Sequence, residues 1–348
     1  EIGPARMPGW VKSCQEMKMT WAVIQYPDEN IGAKAIKATR SVGIMPIARP
    51  YTLVNEFMDF GRQAKVAIEA GTRYIQIYNE PWDSREWRNE KRPDDWWEIY
   101  KARWLMQAQK VCAAGGYPGL QLGGLDRLRD MLRWVKAQGQ VDIFETAFFA
   151  LHLYPGACPP TCTQHEEDSL GFLKYAQVFQ EEIGFVPPII VTEWAWSPSE
   201  GRPGWYLEVY DWFKTGRLSN GEPLPDYLFA FCAWILADSG GFGWNYPFYV
   251  PVVEGLKAKE PFLRWQEKEE QPMENPIRVG IRESYLIFNS PIIRVETMEM
   301  EEYLRRVVPY EVFPSWTAEA LKAQAVAART YAEWMKKHGK HPDYDVCT

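Results

Sequence analysis

The first 260 residues alternate between short β-rich runs and longer amphipathic stretches, and this alternation constrains the fold more than any other feature of the sequence. The β-rich runs are Trp21–Gln25, Ile44–Arg49, Tyr74–Tyr78, Leu120–Gly124, Ala147–Tyr154, Ile189–Trp194 and Tyr227–Leu236. The amphipathic stretches have apolar residues at helical spacing and cover Trp10–Met19, Gly32–Ser41, Asn55–Ala70, Asp94–Ala114, Asp126–Gln138, Glu166–Ile183 and Trp205–Thr215. Strand–helix alternation of this kind predicts βαβ units and a parallel sheet.

The runs number seven, whereas a closed (β/α)8 barrel has eight strands. No glycine-rich phosphate loop follows any run, which disfavours an open doubly wound sheet. Each strand–helix unit takes about 30 to 40 residues, as in a barrel. We therefore predict an α/β TIM barrel over residues 1–261. We expect its first strand to lie at or before Glu1, so that Trp21–Gln25 is the second strand.

Charge and composition narrow the classes of function. The chain has 39 Lys and Arg against 46 Asp and Glu, a net charge of −7, which argues against a nucleic-acid-binding surface. No apolar run approaches the roughly 18 residues that a membrane-spanning helix needs. The 17 Trp, 18 Tyr and 16 Phe residues form a large aromatic set. Flat aromatic faces stack on sugar rings as well as packing cores, so this set favours a carbohydrate ligand.

The composition changes after the predicted barrel. Residues 262–276 are charged and bounded by prolines, which is typical of a linker. Two short strand-like runs follow, Ile277–Ile281 and Tyr285–Phe288. A helix-like run then covers Thr317–Lys337, with Ser315 or Thr317 as its candidate N-cap. The sequence predicts a small, incomplete α+β domain over residues 277–348.

Two glutamates stand where a barrel places its chemistry, at the C-terminal ends of strands. The Tyr74–Tyr78 run ends in Asn-Glu-Pro, which includes Glu80, and the Ile189–Trp194 run contains Glu193 near its end. With the first strand counted at or before Glu1, these are strands four and seven, whose ends can face each other across the barrel mouth. Two facing carboxyl groups are what glycoside hydrolysis needs.

Asn-Glu-Pro closing strand four and a Glu closing strand seven resemble the clan A retaining glycoside hydrolases. The resemblance implies that Glu80 is the acid/base, Glu193 the nucleophile, and Asn79 a hydrogen-bond partner of the sugar 2-hydroxyl. It implies a double displacement without a metal or organic cofactor. Other strand ends and the loops after them supply candidate substrate-binding residues, namely Arg49, Trp82, His152, Tyr154, Trp196 and Trp234.

Several of these residues also have a structural interpretation. Arg49 can orient the nucleophile or form an ion pair at the barrel rim. His152 can contact a sugar or act as a hydrogen-bonded structural residue, and Trp234 can form a subsite floor or belong to the core. In the loop after the predicted strand Ala147–Tyr154, Cys158 and Cys162 flank Pro-Pro-Thr. They suit a small disulfide, free thiols or, with His165 nearby, part of a metal site.

The C-terminal residues resemble the start of the stage II sporulation protein D family. The similarity lies in the segment from Met300 through Glu311 to Tyr331, which includes Ala-Leu-Lys-Ala-Gln-Ala-Val-Ala-Ala-Arg-Thr. It implies action on peptidoglycan, as a lytic transglycosylase or an amidase enhancer. Glu311 occupies the place of the family's catalytic Glu, with one extra residue before Pro314. The chain stops where the family continues with further polar segments, so we expect Glu311 to be inert here.

Together these features predict a retaining glycosidase acting on a cell-wall or extracellular polysaccharide, in an extracellular or cell-wall-associated bacterial protein. The alternative is a barrel that binds glycan without cleaving it and targets the C-terminal domain to peptidoglycan. Neither hypothesis involves a nucleic acid or a membrane span.

Overall fold

The computed structural model describes residues 7–196, 202–233, 254–256, 275–282, 291–312, 317–339 and 341–347. The chain divides into two compact units, Glu1–Trp265 and Gln266–Thr348. Most of the predicted linker, the predicted strand Tyr285–Phe288, the candidate cap Ser315 and the candidate site residue Trp234 lie outside the described residues.

The first unit alternates strands and helices. Its strands are β1 (Trp21–Tyr26), β2 (Met45–Pro50), β3 (Tyr74–Ile77), β4 (Tyr117–Gln121), β5 (Phe148–Leu153), β6 (Ile189–Trp194) and β7 (Leu228–Ala233). Its α-helices are α1 (Met7–Glu16), α2 (Glu29–Arg40), α3 (Phe60–Ala70), α4 (Trp96–Ala113), α5 (Leu125–Ala137), α6 (Phe172–Ile183) and α7 (Pro203–Thr215). Short 3-10 turns cover Ser84–Glu86, Arg88–Glu90 and Val141–Glu145.

The seven described strands of this unit form one parallel sheet in the order β1-β2-β3-β4-β5-β6-β7. Strands β1 and β7 also lie in contact, so the sheet curves into a nearly closed TIM barrel. The predicted α/β barrel is thereby confirmed. The expected first strand, at or before Glu1, lies outside the described part of the chain.

Several predicted boundaries differ from the structure, among them the starts of β4, α3 and α6. Strand β4 begins at Tyr117 rather than Leu120, because Gly115, at φ 84°, ends the preceding turn early. Helix α3 begins at Phe60 rather than Asn55, since the Asp59 carboxylate accepts a hydrogen bond from the Gly61 amide and caps the helix there. Helix α6 begins at Phe172 rather than Glu166. All three differences lie at element ends, where local caps and turns decide.

The barrel strands are buried on both faces. One face packs against the helices, and the other fills the lumen with side chains from six strands, as in a packed barrel core. The lumen cluster consists of Trp21, Met45, Ile47, Tyr74, Phe148, Ala150, Ile190, Phe229, Ala230 and Cys232. It gives the mouth of the barrel a rigid floor.

Gly119 of β4 is a point where this packing admits no side chain. A Cβ atom there would lie 2.5 Å from Phe148 Cζ and 2.9 Å from the Gln76 Cα. We expect Gly119→Ala to lower the free energy of unfolding by about 1–3 kcal/mol, measured by urea denaturation. Gly204 in α7 has open space around its Cβ position, so Gly204→Ala serves as the control. Equal stability of the two variants would contradict this packing.

The second unit contains β8 (Pro276–Arg282), β9 (Ile292–Glu299), α8 (Met300–Glu311), α9 (Ala318–His338) and β10 (Val346–Cys347). The strand order is β10-β8-β9, with β9 antiparallel to β8. The Thr317 side chain accepts a hydrogen bond from the Ala320 amide and caps α9, as one of the two predicted caps. None of the described helices in either unit is long and apolar enough to cross a membrane.

Candidate functional site

The loop after β3 presents Glu80 through an unusual backbone. Tyr78 has φ 60° and Glu80 has φ 26°, both in the left-handed region. Such conformations cost on the order of 1–3 kcal/mol and persist only where the surroundings impose them. Here the Trp87 indole donates a 2.8 Å hydrogen bond to the Pro81 carbonyl, and the Asp83 amide donates one to the Glu80 carbonyl. The loop therefore holds the Glu80 side chain in a defined position.

A β-bulge directs Glu193 into the lumen. Strands β5 and β6 pair Leu151 with Val191 and then His152 with Glu193, so Thr192 is an extra residue in β6. The β6–β7 pairing is also irregular between Val191 and Trp194, where β6 has one residue more than β7. Without the bulge, alternation along the strand would place Thr192 in the lumen and Glu193 on the helix-facing side. A bulge of this kind re-aims a side chain next to a site.

Both oxygens of the Glu193 carboxylate have partners. Arg49 Nη1 forms a close ion pair with Oε1, and the Tyr154 hydroxyl donates a 2.6 Å hydrogen bond to Oε2. Arg49 is only 4% exposed, and the Glu193 carboxylate compensates its charge inside the barrel mouth. The structure thus pairs Arg49 with the carboxylate of Glu193, as in the ion-pair interpretation of Arg49.

His152 lies between the two glutamates. Its Nδ1 atom is 2.9 Å from Glu80 Oε1 and 3.5 Å from Glu193 Oε2, while its Nε2 atom is 3.4 Å from Arg49 Nη2. One oxygen of Glu80, one oxygen of Glu193 and a His152 ring nitrogen all lie within 4.8 Å of one another. The Glu80 side chain is 21% exposed and that of Glu193 8%, so Glu80 is the more accessible carboxyl group.

The surroundings of Glu193 favour its ionised form. Burial acts to raise the pKa of Glu193, but the electrostatic interactions with His152 and Arg49 and the hydrogen bonds from Tyr154 and Arg49 outweigh it, so the pKa lies below its ordinary value. Burial, together with the negative charge of Glu193, raises the pKa of Tyr154 far above its usual range. Tyr154 therefore keeps its proton and remains a donor.

Glu80, His152 and Glu193 could together offer three ligand atoms to a metal ion. The Arg49 guanidinium, however, already lies against Glu193 and beside His152. A divalent cation would face this fixed positive charge at short range, and it would displace existing hydrogen bonds to both carboxylates. The arrangement suits the holding and transfer of a proton better than the binding of a metal.

Glu86 is a buried carboxyl group beside the site that the sequence analysis missed. Its Oε1 atom accepts a 3.0 Å hydrogen bond from Asn79 Nδ2. Burial raises the pKa of Glu86, the Asn79 hydrogen bond opposes this, and the charge of Glu80 adds to it. In the sequence, Glu86 belongs to a charged loop that resembles solvated surface. Its place between Trp82 and Trp87 was the only signal of burial.

The candidate aromatic platforms differ in their surroundings. Trp82 is half-buried and lies over Gly123, just beyond the end of β4. Trp196 is fully buried, its indole donates a 2.7 Å hydrogen bond to the Cys158 carbonyl, and Trp194, Trp205 and Tyr206 surround its ring. It has no free face for a sugar, so the sugar-stacking interpretation of Trp196 is wrong and packing is its role.

Of the alternatives for Cys158 and Cys162, the structure has the disulfide. The bridge lies in the loop after β5, and this loop reaches the Trp196 side chain through the Cys158 carbonyl.

In the second unit, Glu311 accepts a 2.6 Å hydrogen bond from Gln324 Nε2. Glu311 is exposed. The pKa of Tyr303 is raised mainly by burial of that residue, and the nearby Glu311 carboxylate raises it further.

The comparison with protein families concerns the C-terminal residues. The family model described as stage II sporulation protein matches residues 289–348, in agreement with the predicted resemblance. An uncharacterized protein of Brachyspira hyodysenteriae is 45% identical over 64 residues. This segment is 18% of the chain and spans only 17% of that relative.

Among solved structures, the chain is similar to 3-keto-D-glucoside 4-epimerase from E. coli. The two are 11% identical over 74% of this chain and 95% of that one, with a TM-score of 0.43. It is also similar to a β-glucosidase from Thermotoga maritima, with 11% identity, coverage of 67% and 77%, and a TM-score of 0.42. Similarities this distant carry no argument about activity.

Proposed function

We propose that the barrel is a retaining glycoside hydrolase that cleaves O-glycosidic bonds by double displacement. The observation that carries this proposal is the approach of a Glu80 oxygen and a Glu193 oxygen to within 4.8 Å at the strand ends. Carboxyl groups about 5–5.5 Å apart belong to retaining enzymes, whereas inverting enzymes need about 6.5–9.5 Å to admit a water. The ionised, more buried Glu193 is the nucleophile, and the more accessible Glu80 is the acid/base.

In the first step, Glu193 Oε attacks the anomeric carbon as the bond to the leaving oxygen breaks. Glu80 gives its proton to that oxygen. His152 Nδ1 lies 2.9 Å from Glu80 Oε1 and holds this carboxyl group in position for the transfer. Arg49 and Tyr154 hold the Glu193 carboxylate in place and keep it charged until it reacts. The products of this step are a glycosyl ester on Glu193 and the free leaving alcohol.

In the second step, Glu80 is a carboxylate and accepts a proton from water, and the water oxygen attacks the anomeric carbon. The ester bond breaks and Glu193 regains its charge beside Arg49. Two inversions give net retention of configuration. The Tyr154 hydroxyl, which keeps its proton, supports the departing carboxylate in this step.

The C-terminal match to the stage II sporulation family supports a cell-wall or other extracellular polysaccharide as the substrate. It supports an extracytoplasmic place of action for the same reason. The half-buried Trp82, two residues from Glu80, is the best remaining platform for a sugar ring. We propose that the side-chain oxygen of Asn79 accepts a hydrogen bond from the sugar 2-hydroxyl. The side-chain nitrogen of Asn79 already donates to Glu86.

The stereochemistry of the first product tests this proposal directly. The protein is incubated with a panel of cell-wall and extracellular polysaccharides and aryl glycosides, and the anomer formed first is recorded by proton NMR. We expect the anomeric configuration of the substrate. Formation of the opposite anomer would contradict the assignment of Glu193 as nucleophile, and binding without turnover across the panel would favour the glycan-binding alternative.

Removing the Tyr154 hydroxyl should weaken the support of Glu193. We expect Tyr154→Phe to lower kcat/KM by about 10- to 100-fold, because a hydrogen bond to a charged group contributes about 1.5–3 kcal/mol. The measurement is the initial rate on the substrate found above. A variant with wild-type kcat/KM would show that this 2.6 Å contact does not matter for the reaction.

The alternative is a glycan-binding barrel that targets the second unit to peptidoglycan. The match over residues 289–348 is the observation that favours it. It predicts affinity for glycan without hydrolysis, and it makes Glu193 a structural ion-pair partner of Arg49. The two candidates therefore differ in turnover and not in binding.

A further inference from the structure

We infer that Arg92, Trp96 and Arg127 form a binding site for a carboxylate group, and that the substrate is an acidic glycan. This inference rests on the proposed function, because it names the substrate class of the same barrel mouth. The site is called the arginine–tryptophan site below.

The arginine–tryptophan site lies on the same face as the candidate catalytic residues. Arg92 Nη1 donates a hydrogen bond to the carbonyl of Trp82, which follows Glu80 by two residues. Arg127 Nη1 donates a 3.1 Å hydrogen bond to the carbonyl of Gly123, just beyond the end of β4. The Trp82 ring lies over Gly123 and connects the two anchor points. A glycan that reaches Glu80 along Trp82 therefore passes these guanidinium groups.

Both guanidinium groups are held by one aromatic ring. The Cζ atom of Arg92 is 4.9 Å from the centre of the Trp96 ring, and that of Arg127 is 5.5 Å from it. These distances fit cation–π contacts. The two charges are thus no farther apart than the sum of these distances, although both side chains are exposed and otherwise free to separate.

Lys101, on the same helix as Trp96, provides a comparison, because it is a cation next to an aromatic ring that also forms ion pairs. Its ammonium lies 5.5 Å from the Trp97 ring and is neutralised by ion pairs of 2.8 Å with Glu98 and Asp130. Within the described residues, neither arginine of the site has a carboxylate at ion-pair distance, and each donates one hydrogen bond, to a backbone carbonyl. Most of their N–H donors therefore face solvent at the barrel mouth.

This chemistry selects a carboxylate. A guanidinium group has five N–H donors in a planar fork that matches the two oxygens of a carboxylate. The chain as a whole has a net charge of −7, so an acidic polymer is repelled by most of its surface. Asp83 interacts electrostatically with Arg92 but pairs directly with Arg85. Two arginines without a direct ion pair among the described residues then serve to place an acidic chain in one orientation at the barrel mouth. The carboxylate can be the ring acid of a hexuronate or the lactyl ether acid of an amino sugar.

Binding to a turnover-deficient protein tests the inference. Isothermal titration calorimetry is performed on the full chain carrying Glu193→Gln, with folding checked by circular dichroism. One pair of probes is tetragalacturonate and its methyl ester, and the other is a tetrasaccharide of alternating N-acetylglucosamine and N-acetylmuramic acid with chitotetraose. The first pair differs only in esterification of the carboxylates, and the second differs in the lactyl ether group that carries each carboxylate. The test variant adds Arg92→Gln and Arg127→Gln, and the control adds Arg133→Gln, an exposed α5 arginine paired with Glu182.

We expect the acidic member of one pair to bind about tenfold or more tightly than its neutral counterpart. This preference should vanish in the double arginine variant, survive in the control, and weaken with added salt. The pair that responds identifies the source of the carboxylate. Equal binding of acidic and neutral probes, or a preference that persists in the double variant, would overturn the inference. Hydrolysis of neutral glycans without acidic preference would overturn it while leaving the proposed function intact.

Discussion

Replacing Glu193 with glutamine is expected to reduce kcat/KM for glycoside cleavage by on the order of 10³-fold or more. The amide has nearly the size of the carboxylate and can still accept the hydrogen bond from Tyr154. It lacks the charge that attacks the anomeric carbon, so the first chemical step is blocked. Circular dichroism checks that the variant folds although the buried Arg49 loses its anionic partner. Initial rates measure the loss of turnover, and calorimetry with the same glycan measures the affinity that remains.

Two controls make this result specific. Glu181→Gln changes an exposed glutamate of α6 that pairs with Arg129, and it should leave the rate unchanged. In Glu193→Ala, added azide can enter the vacated space and attack the anomeric carbon, while Glu80 still protonates the leaving oxygen. Recovery of activity with a glycosyl azide product is expected. Turnover of Glu193→Gln at a rate close to wild type would instead remove the nucleophile role from this residue.

The positions of both glutamates could be predicted because they follow from pattern and architecture alone. Alternating strands and helices predict a parallel barrel, and a barrel brings the C-terminal strand ends to one mouth. Glu80 and Glu193 stand at two such ends, and the structure brings their oxygens to within 4.8 Å. Arg49, His152 and Tyr154 were predicted for the same reason, and all three join this cluster.

What could not be predicted depends on contacts between distant segments. The extra residue Thr192 in β6 arises from pairing with both neighbouring strands, and no local signal reveals it. The left-handed backbone of Glu80 is likewise imposed by its loop. Glu86 was missed and Trp196 was misjudged because burial of a loop residue is a tertiary property. The sequence of a charged loop is the same whether the loop is buried or exposed, and this holds for an aromatic residue at a strand end as well.

Arg49→Met is expected to lower the free energy of unfolding at neutral pH by about 3–5 kcal/mol, because it leaves the buried Glu193 carboxylate without its ion-pair partner. The same change should move the acid limb of the kcat/KM profile to higher pH. That limb reports ionisation of the free enzyme's nucleophile. Burial raises the pKa of Glu193, and without the guanidinium less remains to oppose it. Urea denaturation and a pH–rate profile measure the two effects.

The sign of the pH dependence follows from linkage. The folded-state pKa of Glu193 lies below its ordinary value, so its ionisation contributes stability that is present above the unfolded-state pKa. This contribution is lost as the pH falls through the folded-state pKa. Arg49→Met removes part of it, so the stability difference between wild type and variant should be largest near neutral pH and shrink in acid. A difference that stays constant with pH would mean that packing, not charge, is lost.

Arg62→Met provides the matched control, because Arg62 pairs with Glu29 on the surface with a 72% exposed side chain. Exposed ion pairs contribute about 0–1 kcal/mol, so this variant should differ little from wild type in stability and not at all in its acid limb. In Arg49→Met, the free energy of unfolding and the acid limb of the pH–rate profile should therefore both change. In Arg62→Met, neither should change appreciably. A destabilised Arg49→Met protein with an unchanged acid limb would make Arg49 a structural partner only, and ionisation of Glu193 would then depend on His152 and Tyr154.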